Sequence, residues 1–265
     1  MQITSLASGS GGNCTVLVQN EAVLLIDDGI SMKRLKLALE SLELCPEQIS
    51  GILITHEHND HISGLKTLIK HYEIPIFAPR TVANRLCGVI AGVEDYISEL
   101  SPGREDNIEG FRVLPFRTPH DTPESVGYRI TGDECFGFCT DCGHITDEVL
   151  EGLRGTDRAV IEANHDLEML QYGDYPVFLK RRILADTGHL SNESSGKLAV
   201  ELFKSGTRFL TLGHLSHQNN TPGLAMRAVS SALLGNGIDP LRDISLCVAP
   251  EKDIFSLPTG EGATC

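Results

Sequence analysis

A short hydrophilic segment carries the residue types that bind metal ions. The string THEHNDH occupies residues 55–61 and directly follows the apolar run GILI. His56 and His58 are two positions apart, so in an extended segment their side chains project to the same side and can share one cation. Asp60 and His61 come after that strand and can reach the same cleft from another direction. The spacing predicts a binding site for two metal ions. The alternative is a histidine-rich acidic surface loop.

The other candidate ligands follow predicted strands elsewhere in the chain. His120 comes after the run FRVLPFRT, Asp141 after CFGFCT and His214 after RFLTLG. Ligand-binding groups of open α/β sheets lie beyond the carboxyl ends of their strands. We therefore expect these three side chains to converge with residues 56–61 at one edge.

The elements that must position these residues alternate between strands and helices. The chain of 265 residues can bury a large core, and we expect one domain spanning residues 1–265. Two β-rich blocks, joined through residues 79–107, predict two sheets packed face to face with helices outside. Strands are predicted at residues 49–55, 74–79, 111–118, 126–131, 135–140, 158–163 and 208–213, a hairpin at 14–27, and helices at 32–44, 61–72, 146–155, 192–205 and 222–234.

Composition limits the classes of function. The N-terminus has no basic segment followed by an apolar stretch, and no apolar run approaches the ~20 residues that span a bilayer. We therefore expect a cytoplasmic protein with no membrane partner. The formal charge of −14 disfavours a protein that coats polyanions, although bound cations can supply positive charge for a nuclease. The one strong basic cluster, FLKRRIL at residues 178–184, is typical of a solvated helix end.

The order and spacing of the candidate ligands resemble the metallo-β-lactamase superfamily over nearly the whole chain. The string HEHNDH, preceded by Asp27 and followed by His120, Asp141 and His214, is similar to the five motifs of that family. The resemblance implies an α/β (α+β) fold, the four-layer αβ/βα sandwich, with a dinuclear site between the sheets. In that arrangement His56, His58 and His120 bind one metal ion, Asp60, His61 and His214 bind the second, and Asp141 bridges the two.

Further strings resemble one branch of the superfamily. Antibiotic-cleaving members carry a cysteine where this chain has Asp141, which argues against a lactamase. The strings SLASGSGGNCTVLV, IDDGIS, EANHD and GHLSNE look like the WalJ/YycJ subfamily, whose studied members are implicated in 5′ to 3′ exonuclease action on double-stranded DNA. The resemblance implies a phosphodiester substrate, most specifically DNA.

Two metal ions, zinc or manganese, would suit the ligand set, because imidazoles favour zinc and carboxylates also suit manganese. Such a pair is expected to hold a bridging water, lower its pKa and deliver hydroxide to phosphorus. The candidate catalytic residues are Asp60, His189 and His165. His189 in GHLSNE resembles the histidine, not bound to metal, that contacts phosphate or acts as general acid in related RNA-processing phosphodiesterases. It can equally be a histidine at a helix start that Ser191 or Asn192 caps.

Four more residues are candidates for orienting ligands or contacting substrate. Asp27 resembles the family's acidic residue that holds the ligand loop by hydrogen bonds, although an acid in DDG is also typical of a simple turn. Asn13 and Asn164 can donate to ligands or phosphate, and asparagine is also common in turns. His217 follows His214 by three positions and can contact phosphate or occupy a loop.

Three other functions remain open at this point. The same set of metal ligands suits a cyclic phosphodiesterase of small substrates and a thioesterase of the glyoxalase II type. The acidic composition favours a small substrate. A nonenzymatic regulatory module stabilised by metal is the alternative from another class. Seven candidate ligands for two ions leave room for water, whereas a structural zinc site is closed by four protein ligands, which favours catalysis. The sequence leaves the oligomeric state open.

Overall fold

Two seven-stranded β-sheets form the centre of the protein, described for residues 1–259 by a computed structural model. The first sheet has the strand order β14-β1-β2-β3-β4-β5-β6. Strands β1 to β3 are antiparallel, and β3 to β6 are parallel. The strands are β1 Gln2–Ala7, β2 Cys14–Gln19, β3 Ala22–Ile26, β4 Ile49–Leu53, β5 Ile76–Pro79, β6 Ile97–Leu100 and β14 Phe255–Ser256.

The second sheet has the order β13-β12-β11-β10-β9-β8-β7. Its strands β7 to β10 are antiparallel and β10 to β13 are parallel, so both sheets combine a meander with parallel strands. The strands are β7 Asp106–Ile108, β8 Phe111–Arg117, β9 Val126–Thr131, β10 Cys135–Cys139, β11 Arg158–Glu162, β12 Phe209–Gly213 and β13 Ser245–Val248.

Helices cover the outer face of each sheet. The first sheet packs on α1, α3 and α4 through one buried apolar cluster, and the second packs on α5, α8 and α9 through another. The helices are α1 Met32–Ser41, α2 Asn59–Ile62, α3 Leu65–His71, α4 Arg80–Val89, α5 Asp147–Leu153, α6 Leu167–Tyr172, α7 Val177–Ile183, α8 Asn192–Ser205 and α9 Pro222–Gly235. No helix within residues 1–259 combines the length and the apolar character needed to cross a membrane.

A third apolar cluster lies between the sheets and joins them. It brings Leu24 and Leu53 of the first sheet together with Phe111, Tyr128 and Phe136 of the second. Both faces of the central strands are therefore buried, which explains why segments such as AVLLI read as continuous apolar runs. The four-layer arrangement of helices, sheet, sheet and helices is the predicted αβ/βα sandwich.

Two predicted segments differ from the structure. The helix expected over 61–72 is divided at Gly64 into α2 and α3. The N–H of Gly64 donates to the carbonyl of Asp28. A Cβ at this position would lie 2.1 Å from the carbonyl oxygen of Ile30. Residues 79–107, expected only to join the blocks, contain α4 and β6. Helix α4 forms because Val82 and Leu86, one turn apart, bury the same face.

Candidate metal centre

Three candidate site residues at strand ends adopt positive φ angles. The angle is 60° at Asp27 after β3, 54° at Asp141 after β10 and 54° at His214 after β12. This left-handed conformation is uncommon for residues other than glycine and costs of the order of 1–3 kcal/mol. The surrounding packing must therefore hold three strained strand ends around one cleft.

The first predicted ligand group is assembled as three converging nitrogens. His58 Nδ1 lies 3.0 Å from His56 Nε2 and 3.3 Å from His120 Nε2. His120 Nδ1 donates to the carbonyl of Gly188 at 3.1 Å, which leaves its Nε2 lone pair directed at the other rings. Burial lowers the pKa of both His56 and His120, so these imidazoles are neutral. Neutral nitrogens at such separations suit one shared cation.

The second predicted ligand group lies beside the first. Asp60 Oδ2 is 3.4 Å from His61 Nε2 and 3.6 Å from His214 Nε2. His61 and His214 are fully buried, whereas Asp60 faces the cleft. Burial opposes ionisation of Asp60, but the neighbouring imidazoles of His214 and His61 outweigh it and lower the pKa of the carboxyl. The aspartate is therefore in the anionic form that binds a cation.

Asp141 lies between the two groups. Its Oδ2 is 3.3 Å from His61 Nε2, and its Oδ1 is 3.6 Å from both His120 Nε2 and His214 Nε2. Within residues 1–259, neither Asp141 Oδ2 nor His214 Nε2 has a hydrogen-bond partner, although both atoms are buried. Unpaired buried polar atoms of this kind are costly unless another group neutralises them. The grouped histidine and aspartate donors fit divalent cations.

The carboxylate of Asp27 contacts the segment that carries the candidate ligands of residues 55–61. Its carboxylate accepts a hydrogen bond from His61 Nδ1 at 2.7 Å and from the backbone N–H of Thr55 at 2.9 Å. The Thr55 hydroxyl also lies 2.9 Å from this carboxylate and 3.0 Å from His56 Nδ1. These contacts fix the tautomers of His56 and His61 and leave Nε2 of His61 for a metal. Thr55 was not among the predicted site residues.

Glu162 holds the opposite side of the cleft and was also missed by the sequence analysis. One carboxylate oxygen accepts from His214 Nδ1 at 2.7 Å and from His189 Nδ1 at 2.8 Å. The other accepts the backbone N–H groups of Cys142 and Leu190. Burial raises the pKa of Glu162, but His189 and His214 outweigh it and lower the value to about 2. The one feature of the sequence that pointed to Glu162 was its position at the end of the buried strand RAVIE.

His189 lies on the wall of a cavity of about 190 Å³ that also contains the exposed edges of the ligand groups. Burial lowers the pKa of its imidazole, but Glu162 outweighs this effect and raises the pKa. Asp121 also lines the cavity; it lies 3.3 Å from His120 Nε2 and forms an ion pair with Arg182. Arg182 therefore brings a positive charge to the mouth of the cavity.

The predicted supporting residues occupy different positions. The Asn13 side chain lies 3.0 Å from His61 Nε2 and 3.3 Å from Asp60 Oδ2. Asn164 lines the cavity and donates to the carbonyl of His214 at 3.0 Å. His165 is buried outside the cavity lining, where burial lowers its pKa to about 4. His217 is exposed and lies outside both the cavity lining and the ligand groups found within residues 1–259.

The Ser191 hydroxyl caps α8 by accepting from the N–H of Ser194 at 3.2 Å. The sequence allowed either a capped helix start or a role in the site for the neighbouring His189. Ser191 provides the cap and His189 contacts Glu162, so the capped helix start does not exclude a role of His189 in the site.

Comparison with known proteins places this site in a family. Residues 23–214 match the model of the β-lactamase superfamily domain. The chain is 35% identical over 239 residues to exodeoxyribonuclease YycJ of Bacillus anthracis, covering 89% of this chain and 90% of the relative. It is 34% identical to exodeoxyribonuclease WalJ of Streptococcus pneumoniae, covering 88% and 90%.

A solved structure of the metallo-β-lactamase fold protein YhfI from Bacillus subtilis has the same fold. It aligns with a TM-score of 0.69 at 15% identity, covering 96% of this chain and 98% of that protein. The resemblance found in the sequence is confirmed by the family match, by relatives of similar length and by this shared fold. The chain belongs to the metallo-β-lactamase superfamily.

Proposed function

We propose that this protein is a dinuclear metal-dependent phosphodiesterase that degrades DNA as a 5′ to 3′ exonuclease. One observation carries the proposal: two three-residue groups of potential ligands lie in one cleft with Asp141 between them. The substrate follows from similarity over most of both chains to YycJ and WalJ, which are named exodeoxyribonucleases. We also propose that residues 1–265 form one hydrolase domain, because both sheets contribute to this cleft.

The two ligand groups are assigned as the sequence analysis predicts. Three nitrogens within 3.0–3.3 Å of their neighbours support a first ion on His56, His58 and His120. The contacts of Asp60 Oδ2 with two imidazoles support a second ion that Asp60, His61 and His214 bind. Zinc or manganese suits these nitrogen and oxygen donors.

When bound, a pair of divalent ions lowers the pKa of water and neutralises the oxygens of a phosphodiester. The protein must then orient the ester and supply a proton to the leaving oxygen. His189 suits the second task, because it lines the cavity and Glu162 fixes its Nδ1, so that Nε2 is the nitrogen left for substrate. Arg182 is positioned to contact phosphate at the mouth. His165, whose ring lies outside the cavity lining, would support the cleft rather than contact the substrate.

The proposal is tested by comparing three substrates after metal removal and controlled addition of Mn²⁺ or Zn²⁺. The substrates are 5′-phosphorylated duplex DNA, bis-p-nitrophenyl phosphate and a glutathione thioester. We expect DNA cleavage that depends on metal and that is lost in Asp60→Ala, while Asp95→Ala, a change at an exposed residue of a short 3-10 helix, retains it. Cleavage of only the thioester would favour the glyoxalase II type of activity. Full DNA cleavage by Asp60→Ala would reject the proposed site.

A further inference from the structure

Exposed apolar side chains are concentrated beside the cleft. Ten large hydrophobic residues are exposed within residues 1–259, and five of them lie between residues 167 and 184. We call residues 167–184, which contain α6, α7 and their connection, the rim segment. It contains both exposed aromatic residues of that set, Tyr172 at 78% and Phe178 at 73% exposure. A concentration of exposed apolar groups on a surface is typical of an interaction site.

The same segment carries positive charge in an acidic protein. Lys180, Arg181 and Arg182 occupy consecutive positions in α7, whereas the formal charge of the chain is −14. Arg181 is exposed and makes no ion pair with any residue in the described range 1–259. A local basic and aromatic surface is complementary to nucleic acid, which offers phosphates and flat bases together.

The rim segment is held in place rather than being a loose connection. Lys180 Nζ donates to the carbonyl of Gln171 at 2.9 Å and to that of Gly173 at 2.6 Å. These two carbonyls flank Tyr172, so the backbone that carries the exposed ring is attached to α7. With its backbone fixed, the Tyr172 ring has only its own side-chain torsions to lose when it binds a partner.

The rim segment is also continuous with the cleft. Tyr175, Leu179 and Arg182 line the cavity, and Phe178 precedes Arg182 by four residues in α7. Residues four apart lie on the same face of a helix, so Phe178 extends the cavity wall outward. The cavity volume of about 190 Å³ is below the ~300–1,000 Å³ of typical small-molecule pockets. A polymeric substrate would therefore place its reacting phosphodiester inside and its flanking nucleotides against the rim.

We infer that the rim segment is a binding platform for the DNA nucleotides that flank the cleaved bond. The rings of Phe178 and Tyr172 stack on bases that are unpaired at the end of the strand being cleaved, and Arg181 contacts a backbone phosphate. Stacking on aromatic rings accepts any base, which suits an enzyme that advances along a strand. This inference rests on the proposed function, since it assigns the surface that would position DNA for the metal site.

The test measures steady-state cleavage of 5′-phosphorylated duplex DNA by the metal-loaded full chain. The variants are Phe178→Ala, Tyr172→Ala and Arg181→Gln. Matched controls are Leu241→Ala, at a position that is 97% exposed, and Arg227→Gln, at an exposed arginine; both lie outside the cavity lining. Hydrolysis of bis-p-nitrophenyl phosphate by each variant reports on the metal site alone.

We expect each aromatic variant to raise KM for DNA by ~5- to 150-fold, the range for loss of one stacked base. Arg181→Gln should reduce the slope of log KM against log salt concentration by ~0.7–0.9, as for one lost phosphate contact. The controls, and the hydrolysis of bis-p-nitrophenyl phosphate by every variant, should match the wild type.

Two results would overturn the inference while leaving the proposed function intact. One is wild-type KM for DNA in the aromatic variants. The other is a change from a dimer to a monomer in Phe178→Ala, measured by light scattering, with KM for DNA unchanged, because the rim segment would then join two copies of the chain. If the wild type cleaved bis-p-nitrophenyl phosphate but no DNA, the proposed DNA substrate and the platform would both be rejected.

Discussion

The carboxylate of Glu162 lies 2.7 Å from Nδ1 of His214, across the parallel pair of strands β11 and β12. The same oxygen accepts from His189 Nδ1 at 2.8 Å. One buried carboxylate therefore orients a candidate metal ligand and the candidate proton donor together. In the proposed mechanism, this carboxylate would couple the binding of metal to proton transfer at the leaving oxygen.

Glu162→Gln is expected to weaken metal binding and to slow DNA cleavage, each by ~10- to 100-fold, as is typical when a partner of a ligating histidine is lost. The amide has one acceptor oxygen and no charge, so it cannot hold both imidazoles and both backbone N–H groups. Metal content by elemental analysis and single-turnover cleavage provide the measurements. Glu201→Gln, on the exposed face of α8, is the control. Wild-type rates and metal content in Glu162→Gln would contradict this role.

Asp27→Asn is expected to lower the affinity of the second metal ion by ~10- to 100-fold and to leave the first less affected. Asp27 accepts directly from His61, a proposed ligand of the second ion, whereas it reaches His56 only through the Thr55 hydroxyl. Titration with a chelating dye in competition separates the two affinities. Equal weakening of both sites would show that Asp27 supports the cleft as a whole.

Gly29→Ala is expected to destabilise the fold by ~1–3 kcal/mol or more, because a Cβ there would lie 1.7 Å from the carbonyl oxygen of Asp60. Gly88→Ala provides the opposite case. Gly88 lies in α4 with nothing within 4 Å of an added Cβ, so alanine should stabilise by ~0.5–1 kcal/mol. Urea unfolding measures both free energies. A tolerated alanine at Gly29 would mean that this close approach does not position Asp60.

Asp28→Asn is expected to change the pH dependence of stability. Burial, and then the neighbouring Asp27, raise the pKa of the Asp28 carboxyl from 3.8 to about 7. Between these values the folded protein keeps a proton that the unfolded chain has lost, so the contribution of Asp28 to stability falls as pH rises and levels off above pH 7. Asparagine does not titrate and avoids this loss.

The free energy of unfolding of Asp28→Asn minus that of the wild type should therefore rise from about pH 4 to about pH 7. The rise is roughly 4 kcal/mol, because one pKa unit corresponds to ~1.4 kcal/mol. Denaturant titrations at several pH values, with both proteins at the same metal saturation, give this difference. A difference that stays constant with pH would show that Asp28 is ionised throughout.

The strands that carry the candidate ligands were predictable because the sequence patterns that indicate them lie within each strand. The strand β9 and the helix α8 have the predicted bounds, 126–131 and 192–205. Continuous apolar runs followed by a polar residue also located Asp141 and His214 at strand ends. Helix α6 was missed because it is short and is followed by the turn-forming residues GDYP. The helix end expected at residues 178–184 is the end of α7, whose start was not predicted. The cluster at 178–184 was noticed for its charge, but its contribution to the cleft depends on tertiary packing.

Glu162 shows why part of the site could not be predicted. Its importance comes from His189 and His214, which are 27 and 52 positions away in the chain. No local pattern distinguishes it from another acid at a strand end. Conversely, His217 is close to His214 in sequence but is exposed and outside the ligand groups found among residues 1–259. Proximity along the chain was therefore a poorer guide than the position at a strand end.

The most direct test is a crystal structure of the protein loaded with zinc or manganese, with anomalous difference maps collected on both sides of the absorption edge of the metal. The account predicts two peaks in each chain. One should lie among His56 Nε2, His58 Nδ1 and His120 Nε2, the other beside Asp60, His61 and His214, with Asp141 in contact with both. A map with no peak in this cleft, from protein that cleaves DNA at its full rate, would contradict it.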